Sequence, residues 1–150
     1  MNLVFLDYDG VVNTMQFFSN EENPRVCTPK DNMVSNYQAC RWLSKLCLET
    51  NSKIVVTSSW RYEDNYKECL YNGGLDSRVE ILGKTEEFNF QSRGFAINHF
   101  IEHFKEPIEH IVILDDRNDM DEYNKFLVEC NPATGFTMQE YWKAKEILEK

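Results

Sequence analysis

Asp7 and Asp9 stand one residue apart at the end of the apolar run Leu3, Val4, Phe5, Leu6, and Asp115 and Asp116 close a second such run, Ile111 to Leu114. Carboxylates gathered at neighbouring strand ends cannot all ionise without a cation between them. With only oxygen ligands and no adjacent His or Cys, the pattern favours Mg²⁺, which keeps several waters and commonly binds one or two carboxylates plus a substrate phosphate. Asp7, Asp9, Asp115 and Asp116 are therefore the expected metal set, and phosphate chemistry the expected use.

Such a set needs a frame that brings distant strand ends together. Apolar, strand-like runs recur at residues 3–6, 53–56, 79–82, 111–114 and 126–129, each ending in polar residues. Between most of them the spacing is helical. Residues 31–49 place Ala39, Trp42, Leu43, Leu46 and Cys47 on one face, and residues 92–105 do the same with Ile97, Phe100, Ile101 and Phe104. Thr137, three residues before Glu140, reads as a capping box opening a last helix that carries Tyr141, Ala144 and Leu148. Nearly all-apolar strands alternating with helices predict a doubly wound, mainly parallel five-stranded α/β sheet of Rossmann-like type. Ligands in such sheets bind beyond the carboxyl ends of the strands. Asp7 and Asp9, Thr57 and Ser58, and Asp115 and Asp116 should therefore converge on one edge, with residues 15–29 as an irregular loop or hairpin over it.

A length of 150 residues is read as one domain, residues 1–150, since a split would leave two marginal halves. No apolar run approaches the roughly 20 residues of a membrane helix. The first residues show no basic leader or cleavage segment, so a cytoplasmic location is expected. Five cysteines without a CxxC pair fit neither a disulfide framework nor a cysteine zinc site, and buried reduced thiols are expected. A net charge of −9 argues against broad adhesion to nucleic acid, though not against a small local basic pocket.

The DxDG of FLDYDGVVN, the strand end VVTSS and the ILDD pair resemble motifs of the haloacid dehalogenase superfamily. The longer series TSSWR, SRG before a helix, ILDDRNDM, and GFT before a last helix resembles the phosphatase domains of RNA-repair proteins. The DDR run is also similar to the phosphatase half of bacteriophage polynucleotide kinase-phosphatase. The likeness runs from about residue 3 to 148. It implies Mg²⁺-dependent phosphate transfer through an aspartyl-phosphate, with Asp7 as nucleophile, Asp9 as proton donor and later base, and the Asp9 carbonyl at the metal. A metal makes such an attack reasonable, because it offsets the repulsion between a carboxylate and a phosphate dianion.

Thr57, first after Ile54, Val55 and Val56, is the expected hydroxyl on a phosphoryl oxygen, with Ser58 in reserve. Asp119 and Asp121 could support the metal site or simply open a loop or helix. For the basic residue of the resembled pattern two candidates compete. Arg93, 22 residues before Asp115, suits the separation better than Lys84 and offers a planar fork. Arg61 could bind a substrate phosphate or a nucleic-acid backbone, and Trp60 could stack on a base or pack the loop. Tyr8, Phe17 and Phe18 could line the entrance.

In this superfamily, large caps are inserted after the first motif or between the second and third. The corresponding gaps here leave room for a minimal cap or none, so an open site suited to a bulky phosphorylated substrate is expected, such as a nucleic-acid 3′-phosphate end. No obligate protein partner is evident. Two rivals stand beside this reading. His99 to His103, HFIEH, matches the HxxEH zinc pattern, but on the polar face of an amphipathic helix. A non-catalytic phosphoacceptor or protein-binding module would gather acids in the same way, although a second acid at Asp9 argues against a long-lived phosphoryl group.

Overall fold

The computed structural model describes residues 1–15 and 26–150. Five parallel strands form one sheet: β1 (Asn2–Leu6), β2 (Ser52–Val56), β3 (Ile81–Lys84), β4 (His110–Asp115) and β5 (Leu127–Glu129), in the order β3-β2-β1-β4-β5. Four α-helices accompany them: α1 (Tyr37–Thr50), α2 (Tyr66–Asn72), α3 (Arg93–His103) and α4 (Met138–Leu148). The expected α/β sheet is present, all of it parallel.

Alternation along the strands splits the interior into two layers. Val4, Leu6, Ile54, Val56, Val112 and Leu114 face α1 and α4, where they pack with Leu43, Leu46, Tyr141 and Leu148. Leu3, Phe5, Val55, Ile111 and Ile113 face the other way, onto Ile97, Phe100 and Met120. Because both faces are covered, β1 is apolar throughout its buried length. The chain leaves β1 for β2 on one side and returns from β3 to β4 on the other. That reversal places a crevice between the carboxyl ends of β1 and β4.

Element ends differ from the sequence expectation for local reasons. Residue 31 belongs to a 3₁₀ turn, Pro29–Asp31, closed by Asn32 in a left-handed conformation at φ 58°. Helix α1 starts only after Asn36, whose side chain accepts from the Ala39 N–H. Val79 is tied into a turn through its N–H to the Asp76 carbonyl, so β3 begins two residues later than the apolar run. The short α2 escapes a periodicity reading because it buries only Tyr66, Cys69 and Leu70. At α4, the Thr137 hydroxyl donates to the Glu140 carboxylate at 2.7 Å rather than accepting from the backbone.

All five cysteines are buried as thiols, and burial pushes Cys40 and Cys47 up to about 12. No helix among the described residues is long and apolar enough to cross a membrane. Between β1 and α1 the described residues add one 3₁₀ turn, and between β2 and β3 they add the 3₁₀ segment Ser59–Tyr62 and α2. These are the elements that the described residues place at the two positions where a cap would be inserted. Most of the loop expected at residues 15–29, including Phe17 and Phe18, lies outside the described residues.

Candidate active site

Parallel register aligns the first residues beyond three strands. Leu6 sits opposite both Val56 and Leu114, so Asp7, Thr57 and Asp115 follow in one row. The ladder continues through them: the Asp7 N–H donates to the Leu114 carbonyl at 3.0 Å and the Thr57 N–H to the Leu6 carbonyl at 2.8 Å. On the far side, the Asp115 carbonyl accepts from the Cys130 N–H at 2.8 Å. These side chains are thus held by rigid backbone.

Asp7, Asp115 and Asp116 bring carboxylate oxygens within 4.8 Å of one another, with Asp7 and Asp115 buried. Arg93 answers them from the first position of α3, its Nη1 lying 3.1 Å from Asp7 Oδ1 and 2.7 Å from Asp115 Oδ2. Burial, then the Asp115 charge, pushes Asp7 up to about 8, against the pull of Arg93. Asp115 is also raised by burial, although Arg93 and the Arg117 N–H act in the opposite sense. Burial opposes the Arg93 charge, yet the two facing carboxylates outweigh it and hold its pKa above the ordinary value. Three ionised carboxylates against one guanidinium would leave two negative charges at an all-oxygen site, which fits a hard divalent cation.

Thr57 Oγ1 is buried without a hydrogen-bond partner among the described residues. An orphaned hydroxyl costs about 1–3 kcal/mol, which a bound oxygen would relieve. It lines a cleft of about 250 Å³ together with Arg61, Tyr62, Phe88, Arg93 and Arg117. Ser58 lies beneath, fully buried, its hydroxyl accepting from the Trp60 N–H at 3.2 Å.

Asp9 stands apart from the acid group. It is exposed, and its Oδ1 accepts from Asn13 Nδ2 at 2.8 Å and from Trp60 Nε1 at 3.2 Å. Asn13 also donates to the Cys27 carbonyl and accepts from the Ser35 N–H, binding the DxDG turn to the following segment. Sequence reasoning overlooked it, though a polar residue closing the run Val11, Val12 was a signal. Gly10 has φ 81°, and a Cβ there would lie 2.5 Å from Asp116 Oδ2. Glycine is thus required for this turn to pass beside the acids.

Other candidates are placed differently. Trp60 is 4% exposed and meets Tyr8 edge to face, so it orients Asp9 instead of offering an open stacking face. Tyr8 is itself fully buried, donating to the Tyr66 carbonyl at 2.7 Å, and does not line the entrance. Arg61 spends Nε on the Thr85 carbonyl and Nη1 on the Thr57 and Ser58 carbonyls at 2.8 Å. That guanidinium therefore braces the hydroxyl loop from within. Lys84 donates to the Arg61 carbonyl at 2.9 Å, and among the described residues it is Arg93 that pairs with Asp7.

The α3 start is itself constrained. Ser92 caps it by accepting from the Phe95 N–H, and its hydroxyl donates to Asp121. Asp119 accepts from Arg117 Nη2 at 2.6 Å and, through its backbone carbonyl, from the Gly94 N–H at 3.2 Å. A Cβ on Gly94 would stand 2.2 Å from the Met120 carbonyl oxygen. Asp119 and Asp121 thus fasten the helix that carries Arg93. The HFIEH stretch assembles no metal site: His99 and His103 stack at 4.1 Å, and Glu102 accepts from Asn98. The acid group is the metal-type cluster found among the described residues.

Residues 3–141 match the family described as the HAD domain in Swiss Army Knife RNA repair proteins. That family points to phosphohydrolase chemistry in general and generally uses a divalent metal, as the acid group would allow. No curated protein and no solved structure matches the chain. With the match spanning nearly the whole length and the acids, hydroxyl and Arg93 meeting at the expected strand ends, the chain belongs to the family of HAD domains found in Swiss Army Knife RNA repair proteins.

Proposed function

We propose that this chain is a Mg²⁺-dependent phosphohydrolase working through an aspartyl-phosphate, and that its substrate is a phosphomonoester at a nucleic-acid end. The observation that carries the proposal is the unpartnered Thr57 hydroxyl in a row with Asp7 and Asp115, beside Arg93. Asp7, Asp115 and Asp116 would hold the cation, with Asp9 adding its backbone carbonyl. When bound, the cation supplies the positive charge that keeps Asp7 ionised and lowers its repulsion from a phosphate dianion.

The Asp7 carboxylate attacks phosphorus, and the bond to the leaving oxygen breaks in line with it. The exposed Asp9 carboxyl gives its proton to that oxygen. Asp9, now ionised, takes a proton from water, whose oxygen attacks phosphorus and releases the Asp7 carboxylate and inorganic phosphate. Thr57 Oγ1 donates to a phosphoryl oxygen while Arg93 balances charge growing on the others. The family's RNA-repair description supports a nucleic-acid end as substrate.

The test is hydrolysis of an aryl phosphate with and without Mg²⁺. Wild type should turn over only with the metal, and Asp7→Asn should lose at least about 10³-fold in kcat, because the covalent route is gone. Unchanged turnover in Asp7→Asn would refute the mechanism. A stable phosphoryl group on Asp7 of the wild type, without turnover, would favour the phosphoacceptor reading.

A further inference from the structure

In-line attack by Asp7 sends the leaving group to the side of Asp9, which protonates it. Asp9 lies in a different cleft from Thr57 and Arg93, one shared with Asn13, Thr14, Pro132 and Ala133. From there the surface leads to α1. Asn36, the cap of that helix, donates to Thr14 Oγ1 at 3.2 Å and to the Thr134 carbonyl at 3.3 Å, joining the rim of the Asp9 cleft to the first turn. Beyond the cap a cleft of about 300 Å³ opens, lined by Gln38, Arg41, Trp42 and Lys45.

This groove has an unusual make-up for a chain with net charge −9. Its lining holds two cations and no acid. Arg41 is exposed and makes no ion pair among the described residues, and Lys45 follows one helical turn on, about 6 Å along the axis. Helix α4 continues the pattern alongside. Lys145 Nζ lies 5.5 Å from the Trp142 ring, and Trp142 is 57% exposed. Trp42, half-buried, packs on the fully buried Tyr141 with centroids 5.2 Å apart, and Lys45 lies 5.7 Å from the same Tyr141 ring, so Trp142 is the ring most open to a ligand. Glu49, which pairs with Lys45 and Lys145, closes the far end.

Cations interleaved with accessible aromatic rings are what a sequence-tolerant single strand uses, phosphates on the charges and bases on the rings. We infer that the α1/α4 surface made by the Arg41–Lys45 cleft and the exposed Trp142 of the neighbouring helix binds the single-stranded nucleic-acid segment leading to the phosphorylated end held at Asp7. The inference rests on the proposed phosphohydrolase reading and adds the path of the polymer. The exposed Trp142 ring beside Lys145 favours a nucleic-acid strand over an acidic peptide, whose contacts with the cations would need no aromatic partner.

The test compares three substrates of the full chain with Mg²⁺: an aryl phosphate, a 3′-phosphorylated mononucleotide and a 3′-phosphorylated single-stranded oligonucleotide of about ten residues. Arg41→Glu with Lys45→Glu should lower kcat/KM for the oligonucleotide about tenfold or more through KM and leave the aryl phosphate and mononucleotide unchanged. Two lost phosphate contacts should also flatten the slope of log kcat/KM against log salt by about 1.4. Arg41→Glu alone, which breaks no ion pair, covers the case in which the double variant unfolds, and Arg41→Lys should restore most of the loss. Equal oligonucleotide kinetics and salt slope in the variants would overturn the groove, as would an equal loss on the aryl phosphate. A phosphopeptide that outcompetes the oligonucleotide with the same Arg41 dependence would overturn it in favour of a protein partner. Failure of the phosphohydrolase reading shows separately, as absence of Asp7-dependent aryl phosphate turnover. In that event, fluorescence anisotropy of an unphosphorylated oligonucleotide decides whether the groove binds.

Discussion

The two flanks of the acid group are built from different material. On the β2 and α3 side, Thr57, Arg61, Arg93 and Arg117 form a small polar cleft, and Arg61 is locked to three backbone carbonyls. On the other side, Asp9 is exposed in a cleft of about 780 Å³ whose other charged residues, Glu63 and Asp116, are acidic. The contrast teaches a division of labour. Every phosphomonoester presents the same phosphoryl group, so that flank should be charged and stiff. Leaving groups differ, so the opposite flank has room, with the Asp9 carboxyl placed at the boundary.

Breaking one flank at a time should separate these tasks. The largest effect is expected for Asp9→Asn: about 10²–10⁴-fold lower kcat/KM for an alkyl or nucleotide phosphate, which needs a protonated leaving oxygen. The loss in kcat/KM should be far smaller for an aryl phosphate whose leaving group departs as the anion. Arg93→Ala should instead cost about 10²–10³-fold on both substrates alike, since it acts on the shared phosphoryl group. Comparing the two variants on the two substrates checks the division, and equal leaving-group dependence in both would abolish it.

A smaller effect sharpens the stiff flank alone. Gly94→Ala places a Cβ against the Met120 carbonyl oxygen and must push the start of α3 from the loop that fixes Arg93. Overpacking of this kind should cost about 1–3 kcal/mol in denaturant unfolding, with a fall in kcat on every substrate. A variant that keeps full stability and activity would show that the α3 start has slack.

The subtlest expectation is a pH dependence. Burial and Asp115 raise Asp7 from 3.8 to about 8. Between those values the metal-free native state holds a proton that the unfolded chain has released. This group therefore makes the metal-free fold lose stability as pH rises from about 4 to about 8. A divalent cation needs the ionised form and should reverse that trend. The rise in Tm on adding Mg²⁺, measured against a chelator, should be small at pH 5 and largest at pH 8. A Tm increment independent of pH would mean that the cation binds elsewhere.

Some of this was open to inspection in the residues. Continuous apolar runs marked β1, β2 and β4, because strands buried on both faces admit little else, and the acids and hydroxyls closing them located the edge. Separation from Asp115 and a planar guanidinium favoured Arg93 over Lys84. Only α3, capped by Ser92 and pinned at Gly94, carries its guanidinium to Asp7. Helix α2 was too short to show a period, and Asn13 was hidden because its partners, Asp9, Cys27 and Ser35, meet only after the chain turns.

By itself, then, the sequence determined the layered α/β class and the meeting of acids from β1 and β4, since both follow from local patterning and from the rule that parallel strands present their ends together. It also grouped Asp9 with Asp7, Asp115 and Asp116, and those three carboxylates gather without it. Tertiary structure decided what each polar side chain is occupied with. Arg61 read as a phosphate- or backbone-binding group and Trp60 as either a base-stacking or a loop-packing ring, and the fold buries both, Arg61 on the Thr85 carbonyl and Trp60 on Asp9. Thr57, one strand end among several, is the hydroxyl left without a partner. The physical reason is that hydrogen-bond satisfaction is settled between segments far apart in the chain, and no spacing rule records which donor finds its acceptor.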